Sequence, residues 1–213
     1  MADLEKLRDA ILNGNQKGAI AITQEAIAEG IEPMTLITGY MVPAMDEVGR
    51  RFECEEYFVP ELLLSARAMK GALELLRPLL VASGAEPTGR VVIGTVKGDL
   101  HDIGKNLVAS MLEGGGFEVL DLGADVSPER FIEAVKTSGA NIVCLSALLT
   151  VTMPSMKKTI EAFREAGMRD QVKVLVGGAP VTHQYAHEIG ADGYGESATA
   201  AVSLARQFAS VKA

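Results

Sequence analysis

Residues 90–108 constrain this chain more than any other stretch. They read Arg-Val-Val-Ile-Gly-Thr-Val-Lys-Gly-Asp-Leu-His-Asp-Ile-Gly-Lys-Asn-Leu-Val. The β-branched run Val91–Val96 has the signature of a buried strand. Gly98 interrupts it, the polar residues Asp99, His101 and Asp102 follow, and a helical apolar run begins at Ile103. Strand, glycine turn and helix start together place polar side chains at the carboxyl end of a strand, where open α/β sheets bind ligands. A histidine two residues after an aspartate at such a place can ligate a metal while the carboxylate orients its ring.

The pattern on either side of this segment divides the chain in two. Before it, helical periodicity dominates. Leu4, Leu7 and Ile11 share a face closed by Gly14, and Ala19, Ile22, Ala26 and Ile27 form a second stripe closed by Gly30. Pro33 suits the first turn of a third helix, which Pro43 is expected to bend, and Pro60 opens a fourth through Leu76. Four helices with short connections predict an antiparallel bundle over residues 1–82. The small, polar stretch at 83–89, broken by Pro87, reads as a linker.

From residue 90 to 213 strands alternate with helices. Strands are predicted at 91–96, 117–122, 141–146, 172–176 and 193–194, and helices at 103–112, 128–137, 154–166, 183–189 and 198–208. Such alternation predicts right-handed crossovers and a parallel sheet. Five units suggest the flavodoxin-like order 2-1-3-4-5, with the turns after strands one, three and four lining one crevice. The fold class is therefore α/β: a four-helix bundle followed by a Rossmann-like five-stranded domain.

Composition narrows the function classes. Of 213 residues, 48% are hydrophobic and 23% charged, as expected of a folded globular chain rather than a disordered one. A net charge of −8 without basic clusters argues against nucleic acid or an anionic membrane as partner. No apolar run approaches a membrane span and the amino terminus lacks a signal-peptide pattern, which points to the cytoplasm. Cys54 and Cys144 lie far apart in no metal-ligand spacing, and Cys144 reads as core. His183 and His187, four apart on one helix, could pair on a metal but have no third ligand nearby; a solvated helix face is the plainer reading. Lys97-Gly98 and Lys105 hint at a phosphate loop, yet neither phosphate-binding glycine motif is present.

Three turns carry the chemistry: Asp99-x-His101-x-x-Gly104 after the first strand, Ser146-x-Leu148 with Thr150 and Thr152 after the third, and Gly177-Gly178 after the fourth. Taken singly, each has a bland reading: a hydrogen-bonded pair at a helix start, a satisfied hydroxyl, a strand-end turn. Together they resemble the cobalamin-binding module of methionine synthase and of the corrinoid methyl-carrier proteins. Phe52, Val59-Pro60 and Ser65-Ala-Arg67 resemble the helical cap that precedes this module, so the likeness runs roughly from Thr35 to Ser197.

That resemblance implies cobalamin, in its methylcobalamin form, as cofactor and His101 as the axial ligand of its cobalt, with Asp99 accepting the ring's other N–H. Thr152 stands where the methionine synthase relay has a serine. Gly104, Gly177 and Gly178 would let backbone approach the nucleotide tail, Ser146 and Thr150 would hydrogen-bond it, and Leu148 would pack beside it. Gly98, Leu100 and Asp102 would flank the lower face of the corrin; Phe52, Val59 and Leu62 would cover a methyl group on the upper face.

The chain has no module for a substrate, so the resemblance implies a methyl-carrier component of a multi-component methyltransferase system rather than a complete enzyme. It would cycle between Co(I) and methyl-Co(III), with the 82–89 segment as hinge. Its partners would be a substrate:corrinoid methyltransferase, a corrinoid:tetrahydrofolate or corrinoid:thiol methyltransferase, and a reductive activating protein. Methanol, methylamines, betaines and aryl methyl ethers are all possible donors. The competing classes are a cobalamin-dependent sensor, a subunit of an adenosylcobalamin mutase, and a flavodoxin or response-regulator fold without cobalamin.

Overall fold

The structure, a computed structural model, describes residues 2–83 and 87–210. Backbone contacts group the chain into two compact units, Met1–Pro87 with Glu113–Gly116, and Thr88–Leu112 with Phe117–Ala213.

The first unit is helical. Helix α1 (Leu4–Leu12) starts at Asp3, whose carboxylate accepts from the Lys6 N–H, and α2 (Gln16–Ala28) starts at Asn15, which caps Gly18 in the same way. Gly14 and Gly30 follow these helices, as expected. The third predicted helix comprises α3 (Pro33–Leu36), a π-helical turn (Ile37–Met41) and α4 (Val42–Glu53). Pro43 explains the π turn. It has no N–H to give the Gly39 carbonyl, and its ring would collide with that carbonyl in a regular α-helix. Val42 instead donates five residues back, to Ile37. Helix α5 (Val59–Ser83) is longer than expected and runs through Pro78. Its buried stripe, Leu62, Ser65, Ala66, Met69, Leu73 and Leu76, recurs every three or four residues. Part of the expected hinge, residues 84–86, lies outside the described residues.

The second unit is a five-stranded parallel sheet in the order β2-β1-β3-β4-β5, the order the alternating pattern predicts. The elements are β1 (Arg90–Thr95), α6 (Ile103–Gly114), β2 (Glu118–Asp121), α7 (Pro128–Ser138), β3 (Ile142–Ser146), α8 (Pro154–Glu165), β4 (Lys173–Gly177), α9 (His183–Glu188), β5 (Gly193–Gly195) and α10 (Ala198–Ser210). Ser127 holds the N-cap position of α7 before Pro128, but its hydroxyl makes no cap bond.

Strand pairing sorts the side chains by face, because residues in one register row point to the same side of a sheet. Val92, Val143 and Val174 form one row and pack in a core with Phe131, Ile160 and Phe163 of α7 and α8. Ile93, Cys144, Leu175 and Gly193 form the next row and face the opposite side, beside Leu204 and Phe208 of α10. Thr95, Ser146, Gly177 and Gly195 make the outermost row on that side, at the carboxyl ends of the strands. Among the described residues no helix is long and apolar enough to cross a membrane.

Candidate functional site

The outermost row ends at the turn that carries Asp99 and His101. Gly98 takes φ +87°, a left-handed conformation suited to glycine, and lets the chain reverse immediately after Val96. The reversal buries Asp99 completely and leaves the His101 side chain 49% exposed. A carboxylate with no access to water needs its lone pairs filled, and here they are. Asp99 Oδ1 accepts from His101 N at 3.1 Å and contacts His101 Nδ1 at 2.8 Å. Oδ2 accepts from Leu148 N at 2.8 Å and Leu149 N at 3.3 Å, and lies 2.6 Å from Thr152 Oγ1. Burial alone would raise this carboxyl's pKa, but the bonds from Thr152, His101 and Leu148 outweigh it and hold the group well below the usual carboxylate range.

An ionised carboxylate only accepts, so His101 Nδ1 must carry the ring proton. In the neutral imidazole this leaves the Nε2 lone pair free to ligate. Thr152 reaches Asp99 from the β3–α8 turn. Its hydroxyl also lies 2.8 Å from the Leu149 carbonyl, so its single proton has two acceptors within reach.

Beside His101 opens a cavity of about 670 Å³ between the sheet and helices α6 and α10. Its floor includes Ile93, Cys144, Leu175, Ser146 and Gly177, and its walls include Leu107, Val108, Ala198 and Ala201. These four wall side chains are apolar and those from α10 are small, which leaves a slot rather than a filled core; Lys105, Tyr194, Glu196 and Ser197 also line it. Of the residues singled out in the sequence, Leu100, His101, Asp102, Gly104, Ser146, Leu148, Gly177 and Gly178 line it. Asp99, Gly98 and Thr152 stand behind His101 instead, and Thr150 is exposed on the β3–α8 turn without lining the slot.

The glycines divide by purpose. A Cβ on Gly104 would meet nothing within 4 Å, so the space beside it is open. One on Gly178 would lie 1.9 Å from the Ala147 carbonyl oxygen, and one on Gly177 would lie 2.9 Å from that of Gly195. Those two are required by neighbouring backbone within the sheet itself. In the helical unit, Leu62 belongs to the buried stripe of α5 and Phe52 is half-buried, while Phe58, Val59, Leu63 and Leu64 expose apolar surface.

Several contributors were not singled out in the sequence. Thr95, fully buried, donates its hydroxyl to the His101 carbonyl at 2.9 Å. Asp125, in the turn before α7, accepts from Gly98 N at 2.8 Å and from Lys97 Nζ at 3.1 Å, while its own N–H donates to the Asp99 carbonyl at 2.9 Å. The Gly98 N–H and then the Lys97 ammonium hold its carboxyl below the usual carboxylate range. Asp125 does this at φ +55°, a conformation that costs a non-glycine residue about 1–2 kcal/mol. Lys105 also lines the slot, but it is buried and ion-paired with Asp121, with Asn106 also bonded to its ammonium. His183 and His187 are exposed on α9, and no cluster of three or more metal-ligating side chains occurs among the described residues.

Comparison with known proteins bears directly on this site. Residues 89–203 match the B12 binding domain, and residues 3–77 match a second family model, also described as a B12 binding domain. The chain is 45% identical to trimethylamine corrinoid protein 1 of Methanosarcina acetivorans over 205 residues, 95% of each chain. The chain belongs to the corrinoid proteins of methyltransferase systems. This corrinoid protein is also 43% identical to the dimethylamine corrinoid protein of Methanosarcina barkeri over 96% of each chain. Among solved structures it resembles a chain of the methanol:cobalamin methyltransferase complex from Methanosarcina barkeri. There the TM-score is 0.86 at 30% identity, covering 98% of this chain and 80% of that one.

The residues present fit a corrinoid on their own chemistry. A ring nitrogen able to ligate, its partner nitrogen tied to Asp99, is half-exposed at the mouth of a slot. The slot is open beside Gly104, and its many apolar groups are joined by the hydroxyl-bearing residues Ser146, Tyr194 and Ser197.

Proposed function

We propose that this corrinoid protein carries a methyl group from a methylamine-specific substrate:corrinoid methyltransferase to a second methyltransferase that passes it to a thiol or to tetrahydrofolate. When bound, the corrinoid supplies the reactive cobalt that takes up and releases the methyl group. One observation carries the proposal: His101 keeps Nε2 free at the mouth of the slot while Nδ1 is tied to a fully buried carboxylate.

His101 Nε2 is the atom that would hold the cobalt. Asp99 keeps the proton on Nδ1 and orients the ring, and its negative charge makes the imidazole a better donor. Thr152 and the Leu148 N–H supply hydrogen bonds that stabilise that charge. Leu100 and Leu148, both exposed beside His101, would offer apolar surface to a corrin ring. The slot would take the cofactor's nucleotide portion, with the Ser146 hydroxyl and the apolar side chains Ile93, Cys144, Leu175 and Ala201 available to hold it. A methylamine donor is favoured over methanol because two relatives at 43–45% identity are named for trimethylamine and dimethylamine, whereas the methanol-linked structure shares 30%.

The test combines the protein, loaded with cobalamin and chemically reduced, with trimethylamine-, dimethylamine- or methanol-specific methyltransferases and their substrates. An amine-dependent change in the visible spectrum is expected, and methanol should give none. Methyl uptake with methanol alone would overturn the donor assignment. Failure with every donor, in a protein that binds and retains the reduced corrinoid, would overturn the carrier function.

A further inference from the structure

The turn bearing Asp99 and His101 is short, and its placement decides where the imidazole points. Besides the bonds from the β3–α8 turn to the Asp99 carboxylate, three anchors hold its backbone. Thr95 of β1 holds the His101 carbonyl, and Ser155 of α8 donates to the Lys97 carbonyl at 2.9 Å. The third anchor is Asp125, which binds the turn twice. Its carboxylate accepts the Gly98 N–H, and its N–H reaches the carbonyl of Asp99, the residue that holds the imidazole. The Val96–Val126 bridge next to it brings the two turns side by side. Asp125 makes both bonds only by adopting a left-handed backbone conformation that aspartate, asparagine and glycine tolerate better than other residues. A backbone held in such a conformation persists where its surroundings over-determine it, and such positions cluster at functional sites.

We propose that Asp125 is a positioning residue for the cobalt ligand: from the turn before α7 it grips Gly98 and Asp99, and so fixes where Asp99 presents His101. The role rests on His101 being that ligand, but the grip is a property of the polypeptide and can be read without a corrinoid. Asparagine at 125 keeps both the acceptor for Gly98 and the tolerance for positive φ. Glycine loses the acceptor and keeps the tolerance, alanine loses both, and every variant keeps the backbone N–H that reaches Asp99.

Histidine-edited NMR of the corrinoid-free full chain, with His183 and His187 as exposed internal references, reads the His101 tautomer and the exchange of its Nδ1 proton. In Asp125→Ala and Asp125→Gly that exchange should quicken about fivefold to tenfold, the equivalent of one lost hydrogen bond, with mixed tautomers appearing. In Asp125→Asn it should stay within about twofold of the parent. A general loss of stability would not be repaired selectively by asparagine, and the glycine variant covers the case in which the alanine variant does not fold. The proposal is overturned if the glycine variant retains the parent's exchange, or if the asparagine variant loses it. Either result leaves the cobalt assignment standing; that assignment fails separately if His101→Ala binds cobalt with an unchanged axial ligand.

Discussion

At the scale of single residues the site is a problem in electrostatics. Asp99 is fully buried and ionised, and it is tolerable only because each oxygen is occupied by donors. Thr152→Val keeps the shape and removes one donor. The corrinoid-free protein should lose about 1–3 kcal/mol in urea unfolding, and Thr152→Ser should recover most of it. Asp99, His101 and Thr152 were legible because the first two sit in one short motif and the third in a turn that resembles a known relay. Thr95 and Asp125 were not. The threonine is one β-branched residue in a strand full of them, and Asp125 meets Gly98 only because β2 lies alongside β1. Cys144 was legible as core but not as part of the slot, since a strand buried on both faces shows no alternation. Burial pushes its thiol from 9.0 up to about 12. The folded state therefore holds that proton more tightly than the unfolded one. Cys144 should leave stability unchanged below about pH 9 and reduce it as pH climbs from 9 towards 12. In unfolding titrations, wild type should lose stability relative to Cys144→Ala over that window and not below it.

At the scale of elements, strand existence and order followed from hydrophobic patterning, and most boundaries differ from expectation by one or two residues. The π turn did not follow, because a proline inside a helix signals disruption without saying whether the chain kinks or widens. Nor did the continuation of α5 through Pro78. The glycines give the sharpest contrast. Gly104 sits in the first turn of α6 with open space beside it, so Gly104→Ala should leave the corrinoid-free protein equally or more stable, by up to about 1 kcal/mol. The same methyl group intrudes on the slot and should weaken corrinoid binding by about tenfold, a modest overpacking cost. Gly178→Ala drives a Cβ into the Ala147 carbonyl at φ +127° and should cost about 3 kcal/mol or more, whether or not corrinoid is present. Thermal unfolding and binding isotherms of the two variants separate a glycine kept for the ligand from one kept for the sheet.

At the scale of the whole molecule, the sequence already divides into a helical unit and a sheet unit, and the two B12-binding matches fall one on each side of residues 78–88. The choice of methyl donor was not legible, because the motifs read in the sequence point to a cofactor and not to a donor; the proposed choice rests on relatives. The proposed function commits the chain's own atoms to something narrower: an imidazole that would hold cobalt, and a slot that would take part of the same cofactor. Electron paramagnetic resonance of the full chain loaded with cob(II)alamin, with and without ¹⁵N-histidine, tests that commitment most directly. Hyperfine coupling from one axial nitrogen should change with the label and vanish in His101→Ala. Coupling that ignores the label, as from the cofactor's own benzimidazole, would contradict it.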